Sequence, residues 1–327
     1  MGQHDAVLTG DTTTIDLSTA ENWATKTILL QGVEGAFSDL SEHDLAYSSG
    51  IGGCSTTRQL IADLLNRHFK PFTPVENSHI VLAAGGSFAL TALVEQICDP
   101  GDGILIAAPY WAGLDISISV HCHATVVPVH VPLNDFFGTD SIRHYRSAIE
   151  NSTIPIKAIL VCNPHNPLGQ CYPKETLQAM LEFCKCHELH YISDEVYALS
   201  AHRPFAIDFH PFVSALQLGD DGVRDQIHII YSLSKDFGCN GIRVGALITQ
   251  FNDAVRLSSA LSVHSQVSSL STVLASKLIL KPATIEETAK HGGKELMEAY
   301  TSIQSFLEKG GMEYISVAYE ATEMFEV

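Results

Sequence analysis

The chain of 327 residues carries 19 Lys and Arg against 37 Asp and Glu, a formal charge of −18, with 46% hydrophobic and only 17% charged residues. That balance excludes a nucleic-acid binder working through basic charge, and it excludes a disordered chain, because the apolar share is ample for a buried core. At about 150 residues per domain the length suggests one large domain and a smaller one.

The opening residues Met1 to Asp5 form neither a basic stretch nor an apolar one, and no run reaches the roughly 18 apolar residues of a membrane span. The expectation is a cytoplasmic protein without a membrane anchor. From Thr56, TTRQLIADLLNRHF puts Leu60, Ile61, Leu64 and Leu65 on one face at helical spacing. Next come the apolar run HIVLAA (79–84), a glycine turn at Gly85 and Gly86, and the helical stretch FALTALVEQIC, stopped by Asp99-Pro100-Gly101-Asp102. The alternation continues through GILIAA (103–108), a mixed segment to about 120, ATVVPVHV (124–131) and a polar helical stretch near 139–150. AILVC (158–162) follows, then a loop to Pro173, a helix through about His187 and YIS (191–193). IHIIYS (227–232) and VGALIT (244–249) complete the short apolar runs, and beyond about Asn252 the pattern turns helical. Such runs separated by helices predict an α/β fold, a largely parallel sheet with helices on both faces.

In open sheets of this kind ligands sit beyond the carboxyl ends of the strands. Those ends carry Gly85-Gly86-Ser87, Pro109-Tyr110-Trp111, Asn163 to Gly169, Asp194-Glu195-Val196-Tyr197 and Ser232-Leu233-Ser234-Lys235. Together they supply an anion nest, an indole, an amide, a carboxylate with a phenol, and an amine. Pyridoxal phosphate needs this set: a lysine for its aldehyde, a carboxylate for its ring nitrogen, and backbone donors with an arginine for its phosphate. No G-x-G-x-x-G follows a strand and no P-loop occurs, which argues against a nicotinamide or nucleotide enzyme. Eight cysteines without C-x-x-C spacing, and sixteen histidines without ligand spacing, predict reduced buried thiols and no metal site.

The stretches AAPYW (107–111), CNPHNPLGQCYPKETL (162–177), ISDEVYALS (192–200) and SLSKDFGCNGIRVG (232–245) resemble the fold-type-I, class I and II aminotransferases. Within them the resemblance is to the fungal 1-aminocyclopropane-1-carboxylate synthase-like branch, over roughly residues 15 to 317. It implies a mainly parallel seven-stranded sheet with helices on both faces and three regions: an N-terminal segment (1–45) that contributes to the small domain and to substrate cover, a large cofactor-binding domain (46–252), and an incomplete small domain (253–327). It also implies that Lys235 bonds the cofactor and shuttles the Cα proton of the substrate, while Asp194 holds the ring nitrogen protonated. Tyr197 and Asn166 would bond the cofactor's phenolic oxygen, and Trp111 would stack on its ring. Gly86, Ser87, Ser232 and Arg243 would hold the phosphate. Tyr47, in YSSGIGG, would reach the phosphate of a neighbouring subunit, so the resemblance implies a homodimer with shared active sites. Glu21, in TAENW, and Tyr110 would face the amino-acid substrate.

Members of the family continue well beyond the position that corresponds to Val327 and supply a late arginine for the substrate carboxylate, whereas the last arginine of this sequence is Arg256. Lysine, as a point charge, does not replace that fork. The resemblance therefore implies an enzyme acting at Cα of an amino acid, an aminotransferase first, in secondary metabolism. It leaves open a carbon–sulfur lyase of the same branch, and a catalytically weak cofactor-binding subunit paired with a full-length relative.

Overall fold

The computed structural model describes residues 20–38, 40–48, 50–200, 210–219 and 222–314. The outer parts of the first and third expected regions, with Thr19 of TAENW, lie outside the described residues. After helix α1 (Lys26–Phe37) and helix α2 (Ser55–His68) the chain enters β1 (Ile80–Ala83), and α3 (Gly86–Ile97) leads to β2 (Gly103–Ala108). Edge strand β3 (Thr125–His130), α4 (Ile142–Glu150), β4 (Ile156–Cys162), α5 (Lys174–His187) and β5 (His190–Asp194) follow. Then come β6 (Ile227–Ser232), the one-turn helix α6 (Leu233–Asp236) and β7 (Gly245–Ile248). The described residues after β7 form helices, chiefly α7 (Asp253–Ser262), α8 (Ser269–Leu274) and α9 (Pro282–Gly310).

All seven strands join one sheet in the order β1-β7-β6-β5-β4-β2-β3. Only β7 runs against the others: it pairs antiparallel with β1 and β6, and every other pairing is parallel. The alternation read from the sequence thus gives the α/β sheet expected of it. Pro128 falls in β3, an edge strand, where a missing N–H leaves no ladder position empty.

Side chains alternate across the sheet and feed two apolar layers. Ile80, Leu82, Leu105, Ala107, Ile159 and Val161 pack beneath α1, α2, α4 and α5, whereas Val81, Ala83, Ile104, Ile106, Ala158 and Leu160 pack beneath α3 and α7. In α3 the residues Ala89 to Val94 are all buried, so this helix is enclosed rather than half wetted. The mixed segment before β3 resolves into a short turn, Gly113–Asp115, and a wide π turn, Ile116–Val120. Of the thiols expected to be buried, Cys171, Cys184 and Cys239 are, but Cys186 is exposed and the others are half-buried. Cys186 lies in the last turn of α5, on the side away from the core that holds Cys184. Among the described residues no helix is long and apolar enough to cross a membrane.

The amino ends of β5 and β6 carry a histidine pair, His228 buried and His190 half-buried. His228 Nε2 lies 2.9 Å from His190 Nδ1, and His228 Nδ1 lies 3.0 Å from the Thr249 hydroxyl. Burial pushes His228 down from 6.5 to about 3, with His190 adding to the effect. Between those two values the unfolded chain binds a proton that the folded chain does not, so stability falls as pH drops from 6.5 toward 3. Asp194, Glu195 and Asp236, raised by burial, act with the opposite sign. The histidine contribution is therefore read as a difference. Urea unfolding of the protein and of His228→Asn between pH 6 and 4 should differ in slope by about one proton, or roughly 1.4 kcal/mol per pH unit. Equal slopes would show that His228 is protonated in the folded state.

Candidate active site

β1 ends at Ala83, and two residues later Gly85 turns the chain into α3 with φ +95, a backbone conformation that glycine adopts without strain. The N–H groups of the first turn of α3, Gly86 and Ser87 among them, stand free of intrahelical acceptors at the positive end of the helix dipole. Against this nest lies Arg243. Its Nη2 donates to the Ala84 carbonyl at 2.8 Å and its Nη1 to the Asn240 carbonyl at 2.7 Å. The fit is close enough that a Cβ at Gly85 would overlap the guanidinium, and one at Gly245 would overlap the Gly85 backbone. Ser232, at the end of β6, approaches the same place, since a Cβ on Gly86 would touch Ser232 and Val196. Its hydroxyl caps α6, accepting from the Ser234 N–H at 3.1 Å and donating to Ser234 Oγ at 2.7 Å. An anion seated in the nest would meet backbone donors, a guanidinium and this pair of hydroxyls.

Lys235 projects from α6. Its Nζ donates to the Ala20 carbonyl at 2.7 Å and stands 6.0 Å above the centre of the Tyr197 ring. Burial holds the amine below its usual pKa, Arg243 adds to that, and Glu21 and Asp194 oppose it. Asp194 is the last residue of β5, in register with Cys162 at the end of β4. Burial raises its carboxyl to about 6, offset in part by the Val196 N–H at 3.4 Å and by the Lys235 cation. A half-buried carboxyl with so little bonding is a group that a cationic partner would stabilise. Tyr197 follows on the same loop, and its hydroxyl accepts from Asn166 Nδ2 at 3.2 Å. Burial is the first cause that pushes this phenol above its ordinary value.

Asn166 is placed by Asn163, whose amide donates to the Val213 carbonyl at 3.0 Å and accepts from the Tyr172 N–H at 3.0 Å. The loop they share packs His165 among Phe136, Phe137 and Tyr172. Burial lowers His165 to about 3 and so keeps it neutral.

The remaining expected residues stand apart from this cluster in their contacts. Trp111 follows β2 and is 45% exposed, with one ring face over Gly113. The Tyr110 hydroxyl donates to Asp115 at 3.1 Å. Tyr47 is 90% exposed and forms no part of the cluster within its own chain. Glu21 is engaged already: Lys26 donates to its Oε2 and Asn240 to its Oε1, each at 2.7 Å, and these bonds hold the carboxyl below its usual range. Sequence reasoning missed the Ala20 carbonyl, Asn240 and Asp236. A backbone oxygen leaves no trace in composition, whereas the other two flank Lys235 and Arg243 closely enough that their neighbourhood was the available signal.

The donor set fits the expected cofactor: one amine, a half-buried carboxyl short of partners, a phenol and amide pair, and an arginine laid on a helix nest. The family model for aminotransferases of class I and II matches residues 12–309. The probable aminotransferase tcpI of Claviceps purpurea (strain 20.1) is 53% identical over 317 residues, covering 96% of this chain and 75% of that protein. The probable aminotransferase sirI of Leptosphaeria maculans is 42% identical over 310 residues, 94% of this chain and 75% of that protein. Among solved structures, the aspartate aminotransferase of Thermotoga maritima superposes with a TM-score of 0.74 at 22% identity, over 94% of this chain and 76% of its own. That last likeness is one of fold.

Proposed function

We propose that this chain, which belongs to the aminotransferases of class I and II, a family of pyridoxal-phosphate enzymes, transfers the amino group of an amino acid by moving its Cα proton through Lys235. The observation that carries the reading is the Lys235 amine, held by burial below its usual pKa between Asp194, Tyr197 and Arg243. When bound, pyridoxal phosphate supplies an aldehyde for an amine and a ring that accepts the electron pair left at Cα.

Each residue then has one task. The N–H groups of Gly86 and Ser87, the Ser232 hydroxyl and the Arg243 guanidinium hold the phosphate. Asp194, already short of partners, would hold the ring nitrogen. Asn166 and Tyr197 donate to the phenolic oxygen, and Trp111 covers the ring face. Lys235, whose Nζ donates to the Ala20 carbonyl, would be the amine that holds the aldehyde and, when free, the base for the substrate Cα proton. Burial shifts the amine in the direction this task needs, toward the neutral form that acts as nucleophile and base. Tyr110 and Glu21 would face the substrate.

The exposure of Tyr47 supports a homodimer in which this phenol serves the phosphate of a second copy. We assign the three regions 1–45, 46–252 and 253–327 as cover, large domain and part of a small domain, supported by the end of the sheet at β7. We further place the enzyme in secondary metabolism.

Borohydride treatment of the protein loaded with pyridoxal phosphate tests the site, and a second, untreated sample given an amino acid tests the reaction. The expected outcomes are one reduced adduct, recovered on the Lys235 peptide, and in the untreated sample a 2-oxo acid formed in equal amount to the amino group transferred. Recovery on another lysine would overturn the site, and release of ammonia in place of transfer would replace transamination by elimination.

A further inference from the structure

Asp236 follows Lys235 directly, yet none of the tasks above uses it. Its side chain is buried, 5% exposed, beneath α6. Oδ2 accepts from the Leu199 N–H at 3.1 Å and from the Tyr231 hydroxyl at 2.9 Å, and Oδ1 accepts from Ser200 Oγ at 2.8 Å. Leu199 and Ser200 belong to the turn that carries Tyr197, while Tyr231 belongs to β6 and is itself fixed edge-on against Phe69, with ring centres 5.3 Å apart. One carboxyl thus ties together the turn bearing Lys235, the turn bearing Tyr197 and the strand beneath both. Burying a carboxyl costs several kcal/mol unless bonds replace its water, so three donors converging on one buried side chain mark a junction, not a solvated helix position.

We propose that Asp236 is a positioning residue that holds the Lys235 amine over the Tyr197 ring, and through that geometry sets how basic the amine is. The inference rests on the catalytic role of Lys235 and the cofactor-binding role of Tyr197. The Asp236 oxygens are directed at Leu199, Ser200 and Tyr231, so it acts on the amine through the chain. The charged groups facing Lys235 are Glu21 from the N-terminal segment, Asp194 from β5 and Arg243 from the loop before β7. Each acts through distance, and the lowering itself comes first from burial, so a Lys235 turn cut loose from the Tyr197 turn lets water reach the amine and returns it toward its ordinary basicity.

The test measures the amine directly in the cofactor-free protein, as the pH dependence of acetylation at the Lys235 peptide followed by mass spectrometry. Asp236→Ala should raise the midpoint by about one pH unit. Asp236→Asn, which keeps an acceptor for the Leu199 N–H and the Tyr231 hydroxyl, should restore most of it. In a Tyr197→Leu background, where the ring is already gone, the added effect of Asp236→Ala should fall below about a third of its size. A midpoint that stays put while the thermal unfolding temperature drops would reduce Asp236 to a structural residue and overturn the proposal, as would an equal shift with and without the Tyr197 ring. If Asp236→Ala does not fold, Ser200→Ala removes one bond and should shift the midpoint the same way by less; no shift overturns the idea. Because the measurement needs no cofactor, a failure of cofactor binding in the unaltered protein is a separate result.

Discussion

Lys235→Ala should keep pyridoxal phosphate bound yet turn over amino acids at least about a thousandfold more slowly, the scale on which an enzyme depends on its positioned base and nucleophile. Retention follows from the geometry: the nest at Gly86 and Ser87, the guanidinium of Arg243 and the carboxyl of Asp194 all belong to other turns and strands than the amine. The loss follows because the described residues around Asp194 and Tyr197 offer no second amine in the same position. The variant should also lose the borohydride-fixed adduct, since the bond to the aldehyde has no partner. Equilibrium dialysis for cofactor affinity, set beside single-turnover rates at equal loading, checks both halves. Undiminished turnover would remove Lys235 from the chemistry, and loss of cofactor binding by more than about a hundredfold would mean that the covalent link, not the cradle, holds the cofactor.

Asp194→Asn should lower turnover by about two to four powers of ten while changing cofactor affinity by less than about tenfold. The carboxyl is half-buried at the end of β5, raised to about 6 by desolvation, with the Val196 N–H and the Lys235 cation as its modest support. A cationic N–H brought against it converts that unfavourable burial into a charged pair, and an amide of the same shape cannot do so. The phosphate contacts are untouched by the change, which is why affinity and rate should separate. Rates compared at equal cofactor loading decide the matter. A variant as fast as the parent would show that the ring is not used to accept electrons, whatever its position.

Both experiments rest on residues that were legible in the sequence, for a physical reason. In a parallel sheet every crossover brings the chain back to the same edge, so residues that follow consecutive apolar runs must gather there. The run ends holding Gly86, Asn166, Asp194, Tyr197, Ser232 and Lys235 could therefore be named as one group from spacing and residue type, whereas Arg243 and the role of each residue came from the resemblance. The strands were equally legible, because short apolar runs bounded by glycine, proline and acidic turns have few other ways to be buried.

What the sequence could not express is orientation and reach. That Glu21 spends both carboxylate oxygens on Lys26 and Asn240, that the Ala20 carbonyl receives the lysine amine, and that Tyr47 stands almost fully exposed all depend on where the chain crosses itself. Asp236 makes the same point: beside Lys235 in the sequence it reads as one more acidic residue of an acidic chain, and only the approach of Leu199, Ser200 and Tyr231 turns it into a junction. Hydrophobic periodicity and strand-end chemistry are local, so the sequence by itself determined the sheet and the strand ends at which a site is to be sought. Burial and hydrogen-bond partnership belong to segments far apart along the chain, so the tertiary structure alone decided the basicity of the amine, the strain on the carboxyl and the partners of each side chain.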